Sequence, residues 1–399
     1  MLSILCASRL DASPLTLPEA VRLALEREPE LRATAGRLEA AKGQADQAGR
    51  WSNPELQLSL EDWPLRSSGW ASSKRLGGVS QTVPFPGKKR LEREIGAAGV
   101  RLSQADLELR RAETARAAKV AFFQVLTARN LLGEETGMVK SAERLAIAAK
   151  KRVDAGAVPE DVGLRAAIPL EKARMELADA GRDLAIAQRT LAALLGRPDL
   201  CETAVEGALA ESANPTLLSR DPAALFASHP SGKAAQTGVQ RAQLEVRRAR
   251  LEAYPDVTVG ASAGRESETN AAIGQVQLGI PLPIFDDASG KRREARANLA
   301  SAEAQAEAIR LRLGREWSAA AARLRTASAQ AKTYREQILP KANEALERMQ
   351  TGFDEGKYEL IDLLEIQRTA MDARIGYQQK LLELNTAQAD LEALLGKLN

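Results

Sequence analysis

The feature that most limits what this chain can fold into is that it says the same thing twice. Residues 79–90 read VSQTVPFPGKKR and residues 276–293 read VQLGIPLPIFDDASGKRR: an alternating run, Pro-x-Pro, a basic turn, then a long helical pattern. Other landmarks keep the same offset. Asn53-Pro54-Glu55-Leu56 answers Tyr254-Pro255-Asp256-Val257, so that Pro54 and Pro255 stand 201 residues apart. Ala155-Gly156 answers Glu355-Gly356, and Ala193-Leu194-Leu195-Gly196 answers Ala393-Leu394-Leu395-Gly396. A repeat of this size fixes the order of elements in one half from the other. It divides the chain into 1–14, at best the tail of a signal segment, then a first repeat, 15–200, and a second, 201–399. Each repeat reads as helix, strand, strand and long helical hairpin. The strands are expected at 52–63 and 75–84, then at 256–265 and 272–284, and the hairpins at 86–196 and 290–396.

The hairpins carry a coiled-coil signature. Leu170, Leu177, Leu184 and Leu191 recur every seventh residue, each followed three residues later by Ala173, Ala180, Ala187 and Leu194. Ala370, Tyr377, Leu384 and Leu391 hold the same phase in the second half, with Ile366, Ala373, Ala387 and Leu394 beside them and Lys380 as a break. From Pro86 to Gly156 there is no proline, and a helix of that extent would span roughly 105 Å. Small residues along the seam favour closely approaching helices, hence a tube rather than a leucine-filled bundle.

The strand patterns alternate strictly. Leu56, Leu58 and Leu60 interleave with Gln57, Ser59 and Glu61; Val276, Leu278 and Ile280 interleave with Gln277 and Gly279. A tilted strand from Trp51 to Trp63 would cover about the hydrocarbon thickness of a bilayer, with its tryptophans at the two interfaces. Phe85 and Phe285 end the returning strands and would form the opposite aromatic girdle. Four strands cannot close a barrel alone, and open edges are not tolerated in lipid, so a membrane location requires several copies. The competing reading is a soluble, structural coiled-coil protein with a small antiparallel cap.

Composition removes several other classes. Only 4% of residues are aromatic, and Lys plus Arg number 56 against 53 for Asp plus Glu, giving a net charge of +3 with no polyanion-binding field. Two cysteines and one histidine supply neither a disulfide framework nor a metal cage, and no resident cofactor is implied. No apolar run is long enough for a transmembrane helix. Gly260-Ala261-Ser262-Ala263-Gly264 matches the G-x-S-x-G nucleophile pattern, but it lies in an alternating run and His229 is the sole histidine. An enzyme is therefore not expected.

With the repeat, the Val83-Pro84-Phe85-Pro86-Gly87-Lys88-Lys89-Arg90 element and the run Asp362-Leu363-Leu364-Glu365-Ile366-Gln367-Arg368 after Gly356, the chain resembles the TolC-type outer-membrane efflux proteins. Within them it is most similar to the CzcC-like and CusC-like heavy-metal branch. The resemblance implies a mainly α fold with a small membrane β part. Long hairpins would form a trimeric α-barrel in the periplasm, and four strands per protomer would enter a shared 12-stranded outer-membrane barrel. It implies a homotrimer in outer-membrane lipid, a periplasmic adaptor protein and an RND-type inner-membrane pump, and no nucleic acid. Pro84, Pro86, Gly87, Pro281 and Pro283 would make the strand-to-helix transition, because proline removes ladder donors. Gly156, Ala157 and Val158, with Gly356, Lys357 and Tyr358, would be the tips that meet the adaptor. Asp161, Asp362 and Glu365 would line the periplasmic aperture, favouring cations. The plainer reading of these three acids is that they cap or flank helix starts.

Overall fold

The computed structural model describes residues 14–62, 73–156, 159–198, 204–219 and 222–396. In chain order these form α1 (Leu17–Arg27), α2 (Pro29–Ala48), β1 (Glu55–Glu61), β2 (Lys74–Val83), α3 (Lys88–Asp154) and α4 (Glu160–Leu194). The second half follows with α5 (Pro222–Ser228), α6 (Pro230–Arg250), β3 (Val257–Glu266), β4 (Ala272–Gly279), α7 (Ser289–Thr333), a π-helical turn (Tyr334–Ile338), α8 (Leu339–Asp354) and α9 (Leu360–Leu394). The order expected from the repeat is present in both halves. The chain folds into two compact units, each assembled from both repeats: Met1–Ala33, Glu108–His229 and Leu311–Asn399 in one, Thr34–Leu107 and Pro230–Arg310 in the other.

In the first unit, the core gathers around α3. Ala115, Ala118, Ala121, Phe122, Val125 and Leu126 are buried together with Val21 and Ala24 of α1, Leu191 of α4, Leu324 of α7 and Leu384 and Leu391 of α9. Alanine supplies much of this surface, so backbones approach closely. On α4, Ala173 and Leu191 are buried and Leu170, Leu177, Leu184 and Leu194 half-buried, as the heptads require. The segment after α4 is pinned by side chains of α3 and α9, Arg129 donating to the Val205 carbonyl at 2.6 Å. Asn385 accepts from the Ala210 amide and donates to the Ala210 carbonyl, both at 3.0 Å. Lys119, itself buried, reaches Glu392 at 2.8 Å.

In the second unit, the strands make one antiparallel sheet in the order β1-β2-β3-β4. The central pair joins the two repeats, running from Lys74↔Glu266 to Val83↔Val257. Gly264 shows how tightly they meet, since a Cβ there would lie 1.7 Å from the Arg75 carbonyl oxygen. Three expected boundaries move. β4 ends at Gly279 rather than 284, because Pro281 and Pro283 lack the N–H groups the ladder would need. β1 begins at Glu55, just past Pro54, and ends at Glu61, so Trp51 precedes the strand instead of opening it. Trp63 lies outside the described residues. The second hairpin is also not continuous, because the π-turn interrupts it.

Candidate functional site

Three places carry the features the sequence singles out: the faces of the sheet, the strand-to-helix junction and the helix tips.

The sheet has inverted polarity. Its pairings place Leu56, Val79, Ala261 and Val276 in one cross-sheet row and Leu58, Gly77, Ala263 and Gly274 in the next. These rows face outward: Leu58 is 79% exposed, Leu278 65% and Val276 85%. The opposite face carries Gln57, Gly78, Ser262 and Gln275 in one row and Glu55, Ser80, Gly260 and Gln277 in another. Ser80 and Gly78 are buried on that side. A sheet built for water shelters its apolar rows and shows its polar ones; a sheet built for lipid does the reverse. Ser262 of the G-x-S-x-G run sits inside β3, 3.4 Å from Gln275, with no strand-to-helix turn.

At the junction, the two repeats are tied to each other. Asp256 Oδ1 accepts from the Phe85 amide and from Lys88 Nζ, each at 2.8 Å. Lys88 is only 5% exposed, so this carboxylate is what makes its burial tolerable. Burial would raise the pKa of Asp256, but the hydrogen bonds from Lys88 and the Phe85 amide outweigh it and hold the carboxyl below its ordinary value. Arg248 reaches Glu92 at 2.8 Å and also pairs with Glu252, which takes Lys291 at 3.1 Å. Two contacts thus cross between the repeats, Lys88 to Asp256 and Arg248 to Glu92, while Lys291 pairs with Glu252 within its own repeat. Gly87 supports the turn with φ +96°. Pro84 and Pro86 stand between β2 and α3, as expected, and Pro281 and Pro283 follow β4. The two phenylalanines do not match: Phe85 stacks on Tyr254 with centroids 4.7 Å apart, while Phe285 is fully exposed after the proline pair. The pairs Lys88–Asp256 and Arg248–Glu92 were not legible beforehand, because pairing across 168 and 156 residues leaves no local pattern.

The tips are related but unequal. Gly156 and Gly356 both take left-handed backbones, φ +70° and +77°, and each amide returns to a carbonyl three residues back. At the second tip, Lys357 N–H also bonds the Gly352 carbonyl at 2.7 Å. Tyr358 lies over Gly352, where a Cβ would meet its ring at 2.4 Å. Beneath it Leu145, Phe353 and Leu363 form a small buried cluster, with Arg152 4.9 Å over the Phe353 ring. At the first tip, α4 starts after Pro159 without a side-chain cap. Ala157 and Val158 lie outside the described residues.

The three acids divide by environment. Asp161 pairs with Arg165 at 3.2 Å. Asp362 closes a capping box with Glu359, accepting from the Glu359 amide at 3.3 Å. Glu365, one turn further along α9, is exposed. Helix-start duty thus accounts for Asp362 and a local ion pair for Asp161.

A family model described as outer membrane efflux protein matches residues 20–197 and again 223–397, one segment in each repeat. The chain belongs to that family. This efflux protein is 32% identical over 394 residues to the cobalt-zinc-cadmium resistance protein CzcC of Cupriavidus metallidurans, covering 98% of this chain and 92% of that one. The nickel and cobalt resistance protein CnrC of the same organism is 29% identical over 321 residues, covering 78% and 73%. Among solved structures, the outer membrane protein VceC of Vibrio cholerae superposes with a TM-score of 0.80 at 18% identity, covering 95% and 96%. The family is one of outer-membrane efflux channels.

Proposed function

We propose that three copies of this efflux protein close one barrel, β4 of each pairing antiparallel with β1 of the next. Three four-stranded sheets give twelve strands with no free edge. The polarity of the sheet carries this reading: its exposed apolar rows suit lipid, and the polar rows of its opposite face suit a water-filled lumen. The same inversion stands against a soluble coiled-coil role.

The helices continue the conduit into the periplasm, and the tips around Gly156 and Gly356, with Lys357 and Tyr358, meet a periplasmic adaptor. An inner-membrane pump of the RND type supplies the energy and the cargo, and this protein conducts passively. Heavy-metal cations are the proposed cargo, supported by the metals named for CzcC and CnrC. Asp161, Asp362 and Glu365 ring the periplasmic aperture, Asp161 and Glu365 contributing exposed carboxylates. Replacing Asp362 and Glu365 together by Ala is expected to lower cation preference in single-channel recordings; unchanged selectivity would remove both from the conduction path.

A further inference from the structure

A groove of about 500 Å³ runs between α3, α4 and α9 in the helical unit. Glu135 of α3 lines it, yet that residue is only 7% exposed and its Oε2 has no hydrogen-bond partner. A buried carboxylate oxygen is ordinarily paired, because desolvation without compensation is costly. Nearby acids have basic partners within the chain. Glu134 lies 3.5 Å from Arg374 of α9, and Asp179 and Asp183 share Arg182 at 2.7 and 3.1 Å. Glu135 and Glu176 are different: both line the groove, and among the described residues neither has a cationic partner. Thr127 and Thr190 add oxygens to the lining. Each hydroxyl donates back to its own helix, to Phe123 and Ile186 at 2.9 Å, which leaves its lone pairs available.

We propose that this groove binds a divalent metal cation that keeps most of its water, with Glu135 and Glu176 as the anchoring carboxylates. The donors are oxygens alone, which suits hard cations that shed water reluctantly. Among the described residues, no three His, Cys, Asp or Glu side chains are gathered to hold a bare ion. The groove accommodates a hydrated one instead, since six waters at about 30 Å³ each occupy roughly 200 Å³. Only the identity of the natural ion rests on the cargo proposed above.

Protons compete for the same oxygen. Burial, then Glu176 and Glu134, push the Glu135 carboxyl above its ordinary value. The charged groups around it are Glu134 on α3, Glu176, Asp179, Arg182 and Asp183 on α4, and Arg374 on α9.

The test uses the full-length, detergent-extracted protein titrated with Mn²⁺ and followed by electron paramagnetic resonance. The expected result is saturable binding with water retained in the metal's shell. Glu135→Gln should weaken the affinity at least tenfold, and Glu176→Gln should weaken it by a smaller factor. Thermal melting of both variants shows whether the fold is kept, and Glu135→Gln removes only a charge. Absence of saturable binding, or unchanged affinity in Glu135→Gln, overturns the proposal. Binding is read in solution and conduction in a bilayer. A protein that binds without conducting would refute the channel reading alone, and one that conducts without binding would refute the site alone.

Discussion

The two long hairpins derive from one repeated pattern but are stiffened differently. In the first half, α3 runs 67 residues without interruption. Its counterpart is broken into α7, a five-residue π-turn and α8. Pro340 stands just past the π-turn and cannot donate to the helix ladder. Tyr334 of the turn lies against Gly376 of α9, where a Cβ would come within 2.8 Å of its hydroxyl. The tips differ as well: the second carries a capping box and packs Phe353 and Leu363 against Leu145 of α3, whereas α4 starts after Pro159 without a side-chain cap. Equal sequence periods therefore do not make equal mechanical elements. Where the helix is interrupted, the tip beyond it is held by a capping box and by packing against α3.

The largest expected effect tests that difference directly. Leu363 is fully buried, and Leu363→Ala should cost about 2–5 kcal/mol locally. Leu164, 68% exposed near the first tip, should cost almost nothing when replaced in the same way. Hydrogen exchange of each tip reads the contrast, and equal losses would break the comparison.

The junction gives a second contrast. Asp256→Asn leaves buried Lys88 without its counter-charge and should cost roughly 1–3 kcal/mol. Lys291→Ala removes only an exposed partner of Glu252 and should cost well under 1 kcal/mol. The sign with pH follows from the depressed Asp256 pKa. Its contribution is present above the unfolded carboxyl value, near pH 4, and is lost as pH falls through the lower folded value. Melting curves from pH 6 to pH 2 should show this acid loss in the native protein and a shallower one in Asp256→Asn.

The smallest expected contrast is between the tip glycines. Gly156→Ala and Gly356→Ala both force a side chain into left-handed backbone and should each cost about 1–2 kcal/mol. Near-equal melting shifts would show that the turns are equivalent and that the asymmetry lies in the packing around them.

The order of elements was legible because alternation, heptads and the repeat are all local periodicities. Pro84, Pro86, Pro281 and Pro283 ended strands as their chemistry dictates, although β4 stopped before the pair rather than running through it. The junction was not legible: Lys88 reads as the start of an aqueous basic segment, whereas it is buried against Asp256 across 168 residues. Asp362 and Glu365 look alike in sequence, and only geometry separates a cap from a free carboxylate. Glu135 gave no signal, because a charged residue on a coiled-coil face is usually solvated. The π-turn left one trace in sequence, Pro340, which reads as easily as a simple kink.

The central claim is that the open edges of an inside-out sheet are closed by copies of the same chain in the outer membrane. Native mass spectrometry of protein extracted by detergent from separated outer membranes tests it most directly. A homotrimer of the 42.9 kDa chain is the predicted result. A monomer or dimer, or recovery in the soluble fraction without detergent, would contradict it.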